Sequence, residues 1–138
     1  LGRSTLHIKL PLYLPRYCKV LETLCEGYNI EASKSYSILN YRAVVGAYLE
    51  LKATYSHLPD GRLVLDIDGR GGREKIAVEV KDGVPSVEYT GDAADLTLGH
   101  LDAQNLLFAV TCADRETLPD FARLWFPLPL FVYYSDTV

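Results

Sequence analysis

The acidic and histidine side chains of this sequence lack the spacing that a metal site requires. Asp66 and Asp68 stand two residues apart in "DIDGRGG", but no glutamate follows at the position that completes a calcium-binding loop. The histidines His7, His57 and His100 each stand without a second ligand at a zinc-site spacing. We therefore predict no metal site, and we expect the two aspartates to lie on an edge strand and face water.

A glycine-rich stretch, "DGRGGREK" at residues 68–75, has the composition of a phosphate-binding loop. Such a loop opens a helix, whose N-terminal amides bind the anion, whereas this stretch lies between two predicted strands. The pattern therefore favours a hairpin end, with Arg70, Arg73 and Lys75 in solvent. No aromatic residues are interleaved with these bases and the net charge is -4, so we predict no nucleic-acid partner.

The C-terminal stretch "WFPLPLFVYYSDTV", residues 125–138, is unusually apolar for a chain end. Nine of its fourteen residues are aliphatic or aromatic, whereas chain ends are ordinarily polar. The stretch is therefore predicted to be buried, and it places the terminal carboxylate beside apolar surface. The ten tyrosines of the chain suit core packing first and an aromatic-lined pocket second.

Length and composition are those of an ordinary globular domain. The chain has 138 residues, 49% of them hydrophobic, with no predicted signal peptide and no run long enough to span a membrane. Three widely spaced cysteines, Cys18, Cys25 and Cys112, indicate buried thiols in a reducing cytosol, so we expect a cytoplasmic protein. Because the chain starts with Leu1 and contains no methionine, we also expect it to be the C-terminal part of a longer protein.

Periodicity predicts the first elements that must position these residues. Alternation in "TLHIKLPLYL" predicts a strand, and "RYCKVLETLCEGY" predicts a helix that stops at Gly27. Asn40 is the predicted N-cap of a second helix, which stops before Pro59. The residues at helical spacing on one face of this second helix are Val44, Val45, Tyr48, Leu49 and Lys52.

Strands and then two further helices complete the predicted fold. Alternating apolar residues predict strands in "RLVLDIDG", "EKIAVEVKDGVPSVEY" and "ADLTL", with a tight hairpin at Asp82–Gly83. In "TLPDFARLWF", Thr117 and Asp120 form a capping-box pattern. The fold class is therefore α+β, with one mostly antiparallel four- or five-stranded sheet and helices packed on one face. Residues available for packing in the last two helices are Leu101, Asn105, Leu106, Phe108, Phe121, Leu124 and Trp125.

Three stretches of the chain resemble the C-terminal domain of Eis-type acetyltransferases of the GNAT superfamily. They are "ILNYRAVVGAYLELKATY", "LPDGRLVLDIDG" and "VEYTGDAADLTLGHLDAQNLLFA", and "WFPLPLF" is similar to the tail of bacterial members. The resemblance implies a sterol carrier protein-like domain over residues 36–138. It also implies that residues 1–35 are the terminal strand and helix of a preceding GNAT-like domain, or a linker.

The resemblance implies an accessory role for this domain in an N-acetyltransferase, not catalysis by the domain alone. Acetyl-CoA is expected to bind the N-terminal GNAT domains of the same protein, since the Q/R-x-x-G-x-G/A loop of GNAT enzymes is absent from this chain. No cofactor is expected here. The implied partners are those GNAT domains and the amine acceptor. A homo-oligomer is compatible with the resemblance, and no membrane partner is expected.

The resemblance also implies which residues form the acceptor site. The terminal carboxylate of Val138 would act as the catalytic base on the amine. Family members end on an aromatic residue, whereas this chain ends on valine, and Asp136 is therefore the alternative carboxylate. The residues implied to bind substrate are Trp125, Phe131, Tyr133, Tyr134 and Asp136.

Two other functions stay open at the level of sequence. A sterol carrier protein-like domain could bind a lipid or another hydrophobic ligand between its sheet and helices, and a structural domain could bury an interface. The apolar residues suffice for a single core. If the domain is not a lipid carrier, we expect the space between sheet and helices to be filled by Leu49, Leu65, Val78, Leu106 and Trp125.

Overall fold

The computed structural model describes Leu6 and residues 8–10, 15–28, 36–109 and 112–130, with the backbone alone at residue 114. One compact unit comprises Leu1–Ser33 together with Phe131–Val138, and the other comprises Lys34–Leu130. In the first unit, helix α1 (Pro15–Leu24) confirms the predicted helix, which ends before Gly27. Leu6 and residues 8–10 are not in a strand, so that prediction is wrong for them, because alternation forms a strand only where a partner strand is available.

The three cysteines are more accessible than predicted. Cys18 and Cys112 are half-buried and Cys25 is exposed. The prediction of buried thiols is therefore wrong, and clearly so at Cys25. This residue follows the last residue of α1, where no helical face directs the side chain inward.

The second unit has the predicted α+β fold. Four strands form one sheet, namely β1 (Gly61–Gly69), β2 (Gly72–Lys81), β3 (Val84–Tyr89) and β4 (Leu96–Gly99). Their order is β3-β2-β1-β4, in which β1 pairs antiparallel with β2, β2 pairs antiparallel with β3, and β4 pairs parallel with β1. A 3₁₀ turn, Ala113–Thr117, precedes the last helix. The helices are α2 (Tyr41–Ala53), α3 (His100–Phe108) and α4 (Asp120–Trp125).

One apolar core joins the sheet to the helices on a single face. Alternate residues of the strands point into it, and residues of α2, α3 and α4 cover them. The five side chains predicted to fill the space between sheet and helices are all fully buried, which confirms that part of the prediction. They are Leu49, Leu65, Val78, Leu106 and Trp125.

The connection from β3 to β4 crosses the opposite face of the sheet. These strands lie at opposite edges, so residues 90–95 must pass β2 and β1. Thr90 N–H donates to the Lys75 carbonyl (3.1 Å), and Asp95 exchanges hydrogen bonds with Val64, whose N–H donates to the carboxylate (2.7 Å). Arg62 pairs with Asp92 on the same crossing. Val64 is consequently buried although it points away from the core.

The start of α2 is fixed by two capping side chains. Asn40 Oδ1 accepts from the Ala43 N–H (2.8 Å), which confirms Asn40 as the N-cap. Glu74 on β2 accepts from the Tyr41 N–H (2.8 Å) and the Arg42 N–H (3.2 Å) through its two carboxylate oxygens. Three amides that no helical carbonyl can reach are therefore satisfied, and the negative charge lies at the positive end of the helix dipole.

The glycine-rich stretch is the end of the β1–β2 hairpin, as predicted, and its glycines permit a close approach by the chain before α2. A Cβ added at Gly71 would overlap the Leu39 carbonyl, and one added at Gly69 would lie 2.7 Å from the Tyr41 ring. Any side chain here would push residues 39–41 off the hairpin. Packing by a neighbouring segment therefore accounts for these glycines without a bound phosphate.

Predictions for the last two helices are partly wrong. Leu101 is 62% exposed and Asn105 is exposed, while Ala103, Gln104 and Leu107 of α3 are buried instead. Thr117 does not cap α4, which begins at Asp120 without a side-chain cap. A residue that precedes proline avoids the helical conformation, so Leu118 before Pro119 is extended and the helix cannot start earlier. Leu124, expected on the apolar face, is 62% exposed.

The contact at the hairpin end predicts a position-specific cost of adding a methyl group. Gly71→Ala should lower the free energy of unfolding by about 2 kcal/mol, because the methyl meets backbone and the hairpin or residues 39–41 must shift. Gly91→Ala is the matched control, since its Cβ would meet nothing within 4 Å; it should change stability by less than about 1 kcal/mol. Urea unfolding of both variants is the measurement, and equal stabilities would contradict the close approach.

Candidate functional site

Among the residues predicted to bind substrate or act as base, Trp125 lies in the described part of the chain. Phe131, Tyr133, Tyr134, Asp136 and Val138 lie outside the described residues, and their roles stay predictions. Trp125 is fully buried, and its indole N–H donates to the Pro59 carbonyl at 2.9 Å. Its ring packs against Phe121, with centroids 5.0 Å apart. The structure thus places Trp125 in the core at the end of α4, directly before the C-terminal segment.

Lys52 joins α2 to the end of α4. Its Nζ donates to the carbonyls of Leu124 (2.9 Å), Trp125 (2.9 Å) and Pro127 (3.0 Å). The last carbonyls of a helix have no partner within the helix and carry the negative end of its dipole. One ammonium group therefore satisfies three carbonyls at the point where the chain leaves α4.

Burial acts against the charge of Lys52. Burial first, and the positive charge of Arg115 second, together lower the pKa of the Lys52 ammonium from 10.5 to about 8. The three carbonyl oxygens stabilise the charged form. At neutral pH the group is accordingly an ammonium, on a half-buried side chain.

Two arginines cap neighbouring helical segments in the same way. Arg115 donates to the Leu106 (2.8 Å) and Ala109 (2.6 Å) carbonyls at the end of α3. Arg123 donates to the Leu118 (2.8 Å) and Glu116 (2.6 Å) carbonyls near the end of the 3₁₀ turn. Neither segment ends on glycine, the residue that most often closes a helix. Cationic side chains satisfy these carbonyls instead.

The chain after α4 is anchored as far as the described residues extend. We call residues 126–130 the exit segment. Its Leu128 N–H donates to the Leu107 carbonyl of α3 at 2.7 Å, and Phe126, Leu128 and Pro129 are buried. The Phe126–Pro127 peptide is cis. Lys52, Pro59 and Leu107 therefore hold Trp125 and the exit segment from three sides, with Leu130 half-buried at its end.

The polar residues singled out from the sequence are paired around the hairpin end. Arg73 donates to both carboxylate oxygens of Asp66 at 2.8 Å, and these hydrogen bonds hold the pKa of the Asp66 carboxyl below its ordinary value. Arg70 Nε donates to His100 Nε2 at 3.1 Å. Asp66 is buried on the central strand β1, so the prediction of an exposed acid on an edge strand is wrong for it. The parallel pairing of β4 makes β1 central.

The aromatic side chains near α3 pack against one another. Phe108 meets the ring of Tyr36 at 5.8 Å and that of Tyr48 at 5.5 Å, both nearly perpendicular. Burial, and then the nearby Tyr48, raises the pKa of the Tyr36 hydroxyl. Core packing was predicted for the tyrosines, and among the described ones it is confirmed for the fully buried Tyr41 and the half-buried Tyr48. It is wrong for the exposed tyrosines, which are Tyr17, Tyr28, Tyr36, Tyr55 and Tyr89.

Within the described residues, the side chains do not assemble a metal site. No three of the described His, Cys, Asp and Glu side chains come together as potential ligands. None of the described helices has both the length and the apolar character needed to cross a membrane. The contacts of Lys52 fix the position of the backbone at the end of α4 and at Pro127.

Comparisons of the chain with protein-family models, with curated proteins and with solved structures give no match. The resemblance to Eis-type acetyltransferases therefore rests on the quoted stretches of sequence alone. The sequence signal that could have revealed Lys52 was its spacing. It lies in the helical register of the buried residues Val45 and Leu49, where a charged side chain needs a partner.

Stability should depend on pH through Lys52. Its pKa is about 8 in the folded chain against an ordinary 10.5, so between these values the unfolded chain binds more protons. The wild type should gain free energy of unfolding relative to Lys52→Met as pH rises through this window, by about 1 to 2 kcal/mol in all, since solvent screens this partly exposed group. Below pH 8 both states are protonated, and the difference between the two proteins should be constant.

Urea unfolding near pH 7 and near pH 10 measures this difference. Lys81→Met, at an exposed position on β2, is the matched control for removing a lysine. If the difference in free energy of unfolding between the wild type and Lys52→Met is the same at both pH values, the pKa of Lys52 is not lowered in the folded chain.

Proposed function

We propose that this chain is the C-terminal accessory domain of a bacterial GNAT-family N-acetyltransferase. In this proposal the domain shapes the site for the acceptor amine and delivers the C-terminal carboxylate to it. The resemblance of residues 36–138 to Eis-type proteins motivates the proposal. The N-terminal GNAT domains of the same protein would supply the acetyl-CoA site.

The anchoring of the exit segment is the observation that carries this proposal. A carboxylate that acts as a base must reach one place reproducibly, since misplacement by about 1 Å can cost 100-fold in rate. Hydrogen bonds tie the described chain to α2, to Pro59 and to α3 as far as Leu128. The eight residues 131–138 then follow, and eight extended residues span at most about 29 Å. A fixed start limits the volume that such a short tail can explore.

The chemistry needs a base at this position. An ammonium substrate must lose a proton before its nitrogen attacks the thioester carbonyl and the thiolate of coenzyme A leaves. In the proposal the carboxylate of Val138 takes that proton. Partial removal from water raises the pKa of a carboxyl group and makes the carboxylate a stronger base. The sequence before Val138 is apolar at residues 130–134, a composition that suits such surroundings.

The packed core favours this role over lipid carriage. A carrier needs space between its sheet and helices, and that space is occupied by the fully buried Leu49, Leu65, Val78, Leu106 and Trp125. A ligand there would have to displace side chains from a single continuous core, at the cost of their packing. The accessory role makes no such demand.

Removal of the terminal carboxylate tests the proposed function. In the full-length protein that carries this chain, deletion of Thr137 and Val138 should lower turnover of the amine about 100-fold or more, because the base is lost. Addition of a short glycine-serine extension after Val138 should have the same effect, since it moves the carboxylate away while it keeps every side chain. Steady-state acetylation of a panel of primary amines is the measurement.

Calorimetry with acetyl-CoA is the control for both variants. Each should bind acetyl-CoA with the affinity of the parent protein, since the proposed cofactor site lies in other domains. If both variants acetylate at the parental rate, the carboxylate of Val138 is not the base. Loss of turnover with deletion but not with extension would point to a side chain, with Asp136 as the alternative carboxylate.

A further inference from the structure

Lys52 has a contact set that core packing does not require. A core needs apolar contacts from α2, which Val45 and Leu49 supply as fully buried side chains. The ammonium of Lys52 instead donates three hydrogen bonds to carbonyls of one short stretch, which comprises the end of α4 and the first turn after it. An ammonium group has three donors and no acceptor, so donors and carbonyls match in number.

The three carbonyls belong to residues that no other described contact orients together. Leu124 is the exposed fifth residue of the six-residue helix α4, and Pro127 lies beyond its end. A proline has no N–H to donate, so the backbone at Pro127 can be held through its carbonyl alone. The contact at 3.0 Å from Lys52 does this. Loss of the ammonium would leave three carbonyls without their common donor.

The other two anchors lie on either side of Pro127. The Trp125 indole bond to Pro59 precedes it, and the Leu128 N–H bond to Leu107 follows it. Lys52 lies between them and bridges α4 to the exit segment. Its removal should therefore loosen the turn at residues 126–127, where the direction of the chain toward Leu130 is set.

We propose that Lys52 is a positioning residue for the acceptor site: its ammonium fixes the turn at Pro127 and thereby the course of the exit segment up to Leu130. The inference rests on the proposed function, in which the C-terminal carboxylate acts on the acceptor amine. Lys52 itself touches neither substrate nor acetyl-CoA. It acts through backbone carbonyls, and its contribution is to orientation.

A spectroscopic test uses the single tryptophan of the chain. Trp125 lies inside the anchored region, so its emission and its quenching by acrylamide report order there. Lys52→Met should raise the quenching constant at least about twofold and shift emission to longer wavelength. Arg123→Gln is the matched control, since it removes a cation that caps carbonyls beside α4 without touching the exit segment; its quenching should match the wild type.

A kinetic test measures whether the order of the exit segment affects turnover of the acceptor amine. In the full-length protein, Lys52→Met should lower turnover about tenfold or more, while the KM for acetyl-CoA changes less than about twofold. Lys52→Arg keeps a cation with several donors at the same position, and it should restore most of the turnover and the wild-type quenching. If Lys52→Met does not fold, Lys52→Gln carries both comparisons.

The outcomes separate this inference from the function on which it rests. Unchanged quenching in Lys52→Met, or an equal rise in Arg123→Gln, overturns the positioning role. Raised quenching with full turnover also overturns it, provided that deletion of Thr137 and Val138 abolishes activity. If the deletion variant is fully active, the proposed function fails instead, and the quenching data alone then decide whether Lys52 orders the exit segment.

Discussion

The satisfaction of backbone carbonyls at the ends of short helical segments is the constraint that organises the last third of the described chain. α3, the 3₁₀ turn and α4 are all too short to be stable alone, and each ends with carbonyls that need donors. The donors are side chains of other segments, namely Arg115 for α3, Arg123 for the 3₁₀ turn and Lys52 for α4. Each capping cation also ties its segment to a neighbouring part of the fold, so that the same bonds that complete the helices also arrange them.

Charged residues in an apolar register mark the places where this happens. Glu74 lies in the inward register of β2 with Ile76 and Val78, and its carboxylate receives the first amides of α2. Lys52 lies in the inward register of α2 and donates to the last carbonyls of α4. Burial of an unpaired charge is too costly to persist, so an ionisable side chain at such a position predicts a partner. It does not predict which partner.

Local features of the fold were predictable from sequence for physical reasons. The N-cap at Asn40 depends on one side chain and the amide of Ala43, three residues away. The hairpin at Asp82–Gly83 needs two consecutive residues with positive φ, and both have it, at 52° and 76°. The parallel partner of β1 and the burial of Asp66 depend on residues distant in sequence. Periodicity within one segment carries no information about such pairings.

For the candidate site too, local features could be predicted from the sequence, and contacts between distant residues could not. Sequence indicated the apolar tail and Trp125, because aromatic residues at a chain end are conspicuous. It did not indicate that α2 would reach the end of α4, since the contact joins residues more than seventy positions apart, such as Lys52 and Leu124. Thr117 shows the converse case, in which a local capping pattern is overridden because Leu118 precedes a proline.

The crossing of residues 90–95 over the sheet has a consequence for the order in which the domain can assemble. The β1–β2 and β2–β3 pairings close through tight turns, so their entropic cost of loop closure is small. The pairing of β4 with β1 joins Leu65 to Leu96 across the whole intervening chain, so its entropic cost of loop closure is larger. Non-local parallel pairing of this kind forms late. We therefore expect the three-stranded meander to form before β4 joins β1 in the folding reaction.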